Sequence, residues 1–125
     1  MISGSVHLLR WATIAVVLVD SNGQERTIEA RLDTGFTGDM TLPASAIEQL
    51  GFPFISITGF RTGTGQFADF DTYRGNILWH GREHVINVLE SETFPLIGVG
   101  LLWDNNLSID FTHGGNVTVT ELLET

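Results

Sequence analysis

The chain contains no cysteine, which excludes disulfide crosslinks, thiolate nucleophiles and cysteine-ligated metal. That usage fits a cytoplasmic protein. Basic residues are scarce, six against fifteen acidic ones, for a formal net charge of −9. Nucleic-acid binders need clustered Lys and Arg to displace counterions, so that class is excluded, and an anionic membrane surface is disfavoured for the same reason. Long hydrophobic runs are also missing. The longest, Trp11 to Val19, has nine residues, far too few to span a bilayer. Only Arg10 precedes it as a charge, and no small-residue cleavage site follows, so it does not read as a secretory signal. It runs instead into Asp20-Ser21-Asn22-Gly23, a turn signature, and is predicted to be a strand.

What is present is a chain of 125 residues with 42% apolar and 17% charged content. That is enough for one domain, residues 1–125, with its own core, and it argues against disorder. Turn signals recur at short intervals: Asn22-Gly23, Gly35 to Gly38, Gly51, Gly59, Gly63 to Gly65, Gly75, Gly81, Asn105-Asn106 and Gly114-Gly115. β-Branched and aromatic runs lie between them, the pattern of an all-β fold. Residues 12–19 and 26–33 are predicted to pair as a hairpin about Asn22-Gly23. In its second arm Ile28, Ala30 and Leu32 share one face, and Glu29 and Arg31 take the other. Residues 73–79 and 84–90 predict a second hairpin about His80-Gly81-Arg82. Residues 44–50 predict a short helix, started by Pro43 and stopped by Gly51, and residues 99–104 a second one. Leu107, Ile109 and Phe111 alternate with polar residues as a strand, and residues 117–122 suggest a last one.

The densest chemistry lies in Leu32-Asp33-Thr34-Gly35-Phe36-Thr37-Gly38. A carboxylate at the end of a buried strand is costly unless it has partners. A hydroxyl and two glycines follow it, which suggests a built site. About sixty residues downstream comes a second motif, Leu96-Ile97-Gly98-Val99-Gly100-Leu101-Leu102. A hydrophobic-Asp-Thr-Gly stretch followed at this spacing by two apolar residues, a Gly and an apolar helical turn resembles the single-lobe aspartic peptidases of the retropepsin type. The resemblance covers roughly residues 10 to 120.

The resemblance implies a small closed β-barrel of the acid-protease type with one or two short helices. It also implies an endopeptidase that hydrolyses peptide bonds through water activated by two carboxylates sharing one proton. Asp33 is the only aspartate followed by Thr-Gly or Ser-Gly, so the second carboxylate must come from another copy in a symmetric homodimer. Asp33, Thr34 and Gly35 are then the catalytic residues. Thr34 would lock the two loops together, and Gly35 would let the backbones approach. Leu96, Ile97 and Gly98 would support the loop from beneath. A mobile hairpin would cover a polypeptide substrate, with Phe60, Thr62, Gly63, Thr64, Gly65 and Phe67 as candidate substrate contacts. No metal or organic cofactor is implied.

Phe36 stands where many two-lobed relatives carry a hydroxyl that bonds the catalytic carboxylate. Its absence predicts an optimum in mildly acidic to neutral solution; a core or interface aromatic is the equally good and compatible reading of the residue. Retroviral members pair an acidic residue, here Thr37, with an Arg, here Val99. Both partners are missing together, so the dimer must be braced differently. Asp39, two residues beyond Thr37, has no evident mate in the sequence.

Other readings are weaker. Gly63-Thr64-Gly65 lacks the following helix and the Lys of a phosphate loop. His80-Gly81-Arg82-Glu83-His84 lacks the Glu directly after the first His that a zinc helix needs, and Gly81 argues for a turn; Asp69-Phe70-Asp71 lacks a calcium loop. The alternative from another class is a catalytically silent peptide-binding or dimerisation module, which would gain nothing from a buried carboxylate pair.

Overall fold

A computed structural model describes residues 1–61 and 63–123. Among these residues ten strands and two short helices follow in the order β1 (Ile2–Val6), β2 (Ala12–Val19), β3 (Glu25–Leu32), β4 (Met40–Leu42), α1 (Ala44–Leu50), β5 (Phe54–Arg61), β6 (Phe67–Trp79), β7 (Arg82–Glu90), β8 (Leu96–Ile97), α2 (Val99–Leu102), β9 (Asn105–Ile109) and β10 (Asn116–Glu121). Neither helix is long and apolar enough to cross a membrane.

The strands form one sheet in the order β5-β6-β7-β4-β8-β3-β2-β1-β10-β9, and a further pairing of β6 with β2 joins six of them into a ring. That pairing sets Val17 opposite Leu78, and Leu18 opposite Ile77. The core fills the ring: Ile14, Leu18, Ala30, Leu42, Ile77 and Ile97 are fully or almost fully buried. These side chains alternate along their strands with polar or less buried ones, which is how a two-residue period sorts a chain between core and solvent. β1, β10 and β9 continue the sheet beyond β2, and β5 continues it beyond β6.

The β2–β3 hairpin is closed by a side chain as well as by Gly23, whose φ is +79°. The Asp20 carboxylate accepts from the N–H groups of Asn22 and Gln24, both at 2.9 Å. Helix α1 lies at its predicted bounds. Pro43 caps it in extended conformation, and Gly51 ends it at φ +71°, a left-handed value that costs glycine little. The second hairpin turns on His80 and Gly81 alone, both at positive φ, and Arg82 already belongs to β7.

Several expectations change. Gly59 and Gly75 mark no turns: they lie inside β5 and β6. A Cβ on Gly75 would come within 2.8 Å of the Phe52 ring and 2.9 Å of the Val88 side chain. Its smallness therefore serves packing between layers rather than a bend. The strand expected through Phe111 stops at Ile109, which leaves Phe111 on the surface. Helix α2 ends at Leu102, two residues short of the expected span.

The arrangement that matters most is local. β8 pairs in parallel with β3, setting Leu32 beside Ile97, and antiparallel with β4, setting Met40 beside Ile97. The chain thus leaves β3, passes round the end of β8, and returns as β4. Residues 33–39 are the loop that makes this passage, and α2 begins directly beneath them.

Candidate active site

Asp33 continues the β3–β8 ladder. Arg31 N–H donates to Pro95 O and Asp33 N–H to Ile97 O, each at 2.9 Å. The strand geometry therefore persists through Asp33 and turns afterwards. The turn closes where Phe36 N–H donates to the Asp33 carbonyl at 3.2 Å. Gly35 N–H donates to Asp33 Oδ1 at 2.9 Å, which fixes the carboxylate on its own loop. Oδ2 has no partner among the described residues, and Asp33 is half-buried while Thr34 and Gly35 are exposed.

Beneath the loop lies a set of aligned donors. Val99 N–H donates to Phe36 O at 2.7 Å, Gly100 N–H to Gly38 O at 3.0 Å, and Gly98 N–H to Asp39 O at 3.0 Å. These are the otherwise unpaired N–H groups at the start of a helix, and here they hold three carbonyls of the Asp33 loop. Gly98 is required by space. A Cβ there would stand 2.5 Å from the Phe36 ring and 2.6 Å from its carbonyl oxygen, and would press still harder on the Gly38 carbonyl. Asp39 finds a mate that the sequence did not reveal: its Oδ2 accepts from Asn87 N–H of β7 at 3.0 Å.

The β5–β6 hairpin leans over this loop. Phe60 lies 5.7 Å from the Phe36 ring and 6.4 Å from the Phe70 ring. Phe60 and Phe70 occupy the inward face of the hairpin, together with Thr58 and Thr72, whose hydroxyls are bonded at 2.8 Å. A cleft of ≈ 240 Å³ opens between this face and the loop, bounded by Thr37, Gly38, Asp39, Thr58, Phe60 and Asn87. Phe67 lies on the opposite face, exposed, beneath the Arg61 guanidinium. Gly63, Thr64 and Gly65 form the exposed tip, with Gly65 at φ +85°. Thr62 lies outside the described residues.

The structure therefore brings together Asp33, Thr34, Gly35, Leu96, Ile97, Gly98 and Phe60. It sets the tip glycines farther out along the hairpin and Phe67 on the other side. Asn87 and the Phe36–Phe60 contact carried no signal in the sequence, because each depends on a pairing between distant segments. Among the described residues no group of three or more His, Asp and Glu side chains gathers as a metal site. His80 instead bonds Asn105 through Nε2 at 2.6 Å.

No protein-family model and no curated protein sequence matches the chain. Among solved structures it is similar to a retropepsin-like aspartic protease from Rickettsia conorii, with a TM-score of 0.61 at 18% sequence identity. The match covers 95% of this chain and 88% of that one. The chain has the retropepsin-like fold.

Proposed function

We propose that the protein is an aspartic endopeptidase that acts as a two-fold symmetric homodimer through paired Asp33 carboxylates. One observation carries this reading. Asp33 holds one carboxylate oxygen against its own loop and leaves the other open, on a loop that three N–H groups brace from beneath.

A single carboxylate cannot serve as base toward water and acid toward the scissile carbonyl in the same step. The nearest other loop acid, Asp39, is engaged with Asn87. The second group therefore comes from a second copy, in which the same loop meets its symmetry mate. Two carboxylates a few ångström apart repel as anions and share one proton. The ionised one takes a proton from water, and the protonated one donates to the carbonyl oxygen as water attacks the carbon. An extended polypeptide would lie between the loop and the β5–β6 hairpin, with apolar side chains against surfaces such as Phe60. Thr34 and Gly35 would make the contact between the two loops.

The test is hydrolysis of casein and of a peptide library by wild type and Asp33→Asn, with the mass in solution measured by light scattering. A dimer whose activity falls by at least about a hundredfold in the variant supports the reading. A monomer in every condition, or equal hydrolysis by both proteins, rejects it.

A further inference from the structure

Arg31 lies two residues before Asp33, about 7 Å along the strand at the usual rise, and the unbroken ladder to β8 puts both side chains on the same face. Its guanidinium is held in a stack. The carbon at its centre stands 3.6 Å from the Trp11 ring and 4.3 Å from the Phe94 ring. Trp11 stacks in turn on His7, with centroids 4.8 Å apart and planes within 9°. Nε is buried with no hydrogen-bond partner. The chain has fifteen acidic residues against six basic ones, yet no described carboxylate pairs with Arg31. The ion pairs among the described residues are Arg26 with Asp20 and Arg82 with Glu121.

A guanidinium between aromatic rings has its two faces covered, and with Nε buried only its Nη1–Nη2 end is left to donate. That end is a planar fork that matches a carboxylate with two parallel N–H···O bonds. The stack also fixes the side chain in advance, so little rotamer freedom is lost when an anion arrives. A cation kept unpaired in a chain this acidic is set to receive an acid from outside.

We infer that Arg31 is a specificity-determining residue that binds the carboxylate of an acidic substrate side chain beside the scissile bond. The inference rests on the peptidase reading above. A side chain one position from the cleaved bond lies within reach of a group 7 Å or so from Asp33. The selected substrates then carry Glu or Asp next to the cut, in contrast to the apolar residues that Phe60 would favour elsewhere.

The experiment uses peptides blocked at both ends and identical except for Glu or Gln beside the cleaved bond, so that the side chain supplies the only variable carboxylate. kcat/KM is measured for wild type, Arg31→Gln, Arg31→Lys and Arg31→Glu, at a pH where the peptide Glu is ionised. Wild type should favour the Glu peptide by roughly tenfold or more, the range of a charged hydrogen-bonded contact. Arg31→Gln should lose that preference while still cutting the Gln peptide. Arg31→Lys should keep part of it, and Arg31→Glu should turn toward a Lys peptide. Equal rates for the pair in wild type would overturn the assignment. So would an equal fall for both peptides in Arg31→Gln and Arg31→Lys, the pattern of a purely structural stack. If wild type cuts neither peptide, calorimetric binding of the same pair decides Arg31 separately from the peptidase reading. A Glu preference lost in Arg31→Gln supports the site, and no preference or no binding rejects it.

Discussion

The Phe60 ring stands 5.7 Å from the Phe36 ring, tilted at 55°, and so ties the hairpin to the loop that carries Asp33. Phe36 follows the Asp33-Thr34-Gly35 turn and uses its position for packing. Its ring also closes over Gly38 and Gly98. Loop, hairpin and the start of α2 therefore meet around one aromatic side chain.

If that contact holds the hairpin down, Phe60→Ala should free it without unfolding the ring, whose core lies elsewhere. An aromatic pair contributes about 0.5–1.5 kcal/mol beyond its buried area. Amide exchange along β5 should then accelerate up to about tenfold, while the melting temperature changes little. Exchange unchanged in β5 would show that Phe60 does not restrain the hairpin.

The two glycines Gly98 and Gly63 should respond very differently to the same methyl group. At Gly98 a Cβ meets the Phe36 carbonyl and ring at 2.6 and 2.5 Å, and nothing nearby is flexible enough to yield. Gly98→Ala should cost about 1–3 kcal/mol, the usual range for overpacking. At Gly63 no atom lies within 4 Å of the added carbon and the backbone is not left-handed. Gly63→Ala should stay within about 0.5 kcal/mol of wild type. Urea titrations of both variants decide the matter, and equal effects would contradict the geometry.

How far the sequence revealed this arrangement depended on whether a signal was local. Pro43 and Gly51 bracket α1, so its bounds were legible. Asn22-Gly23 marks the first hairpin for the same reason. β4 has three residues and β8 two, too short to display any period. They are strands only because β8 threads between β3 and β4, a tertiary fact. Gly75 misled because a glycine required by packing against Phe52 looks, in one dimension, like a glycine required by a turn. Within the site, Asp33 and its support at Leu96, Ile97 and Gly98 could be located through their motifs. The Asn87 bond to Asp39 joins residues that no motif connects, and the stack on Arg31 draws Trp11 and Phe94 from opposite sides in sequence.

Asp20 gives the fold an acid-sensitive element away from the site. The Gln24 N–H bond holds its carboxyl below the ordinary value of 3.8, against the opposing effect of desolvation and with help from Asn22 N–H and Arg26. A carboxylate whose folded pKa is depressed adds stability above the unfolded pKa. That stability is lost as pH falls through the folded value. Asp20→Asn should therefore melt earlier than wild type at neutral pH, and the gap should close as pH drops below about 4. Thermal melts of both proteins across that range test it, and a gap independent of pH would assign the effect to lost packing instead.

A site assembled from two copies can be poisoned by an inactive copy, whereas a site complete in one chain cannot. Asp33→Asn preserves the shape of the side chain and an oxygen able to accept from Gly35 N–H, so the variant should fold and exchange subunits with wild type. With wild type held constant and one equivalent of the variant added, random pairing puts about half of the wild-type subunits into mixed dimers. Activity should fall to about half after exchange, and continue toward zero as more variant is added. Independent sites would leave the rate unchanged at every ratio. Dimers that exchange subunits freely while each chain keeps its full activity would place the chemistry within a single copy, and would remove the need for paired Asp33 carboxylates.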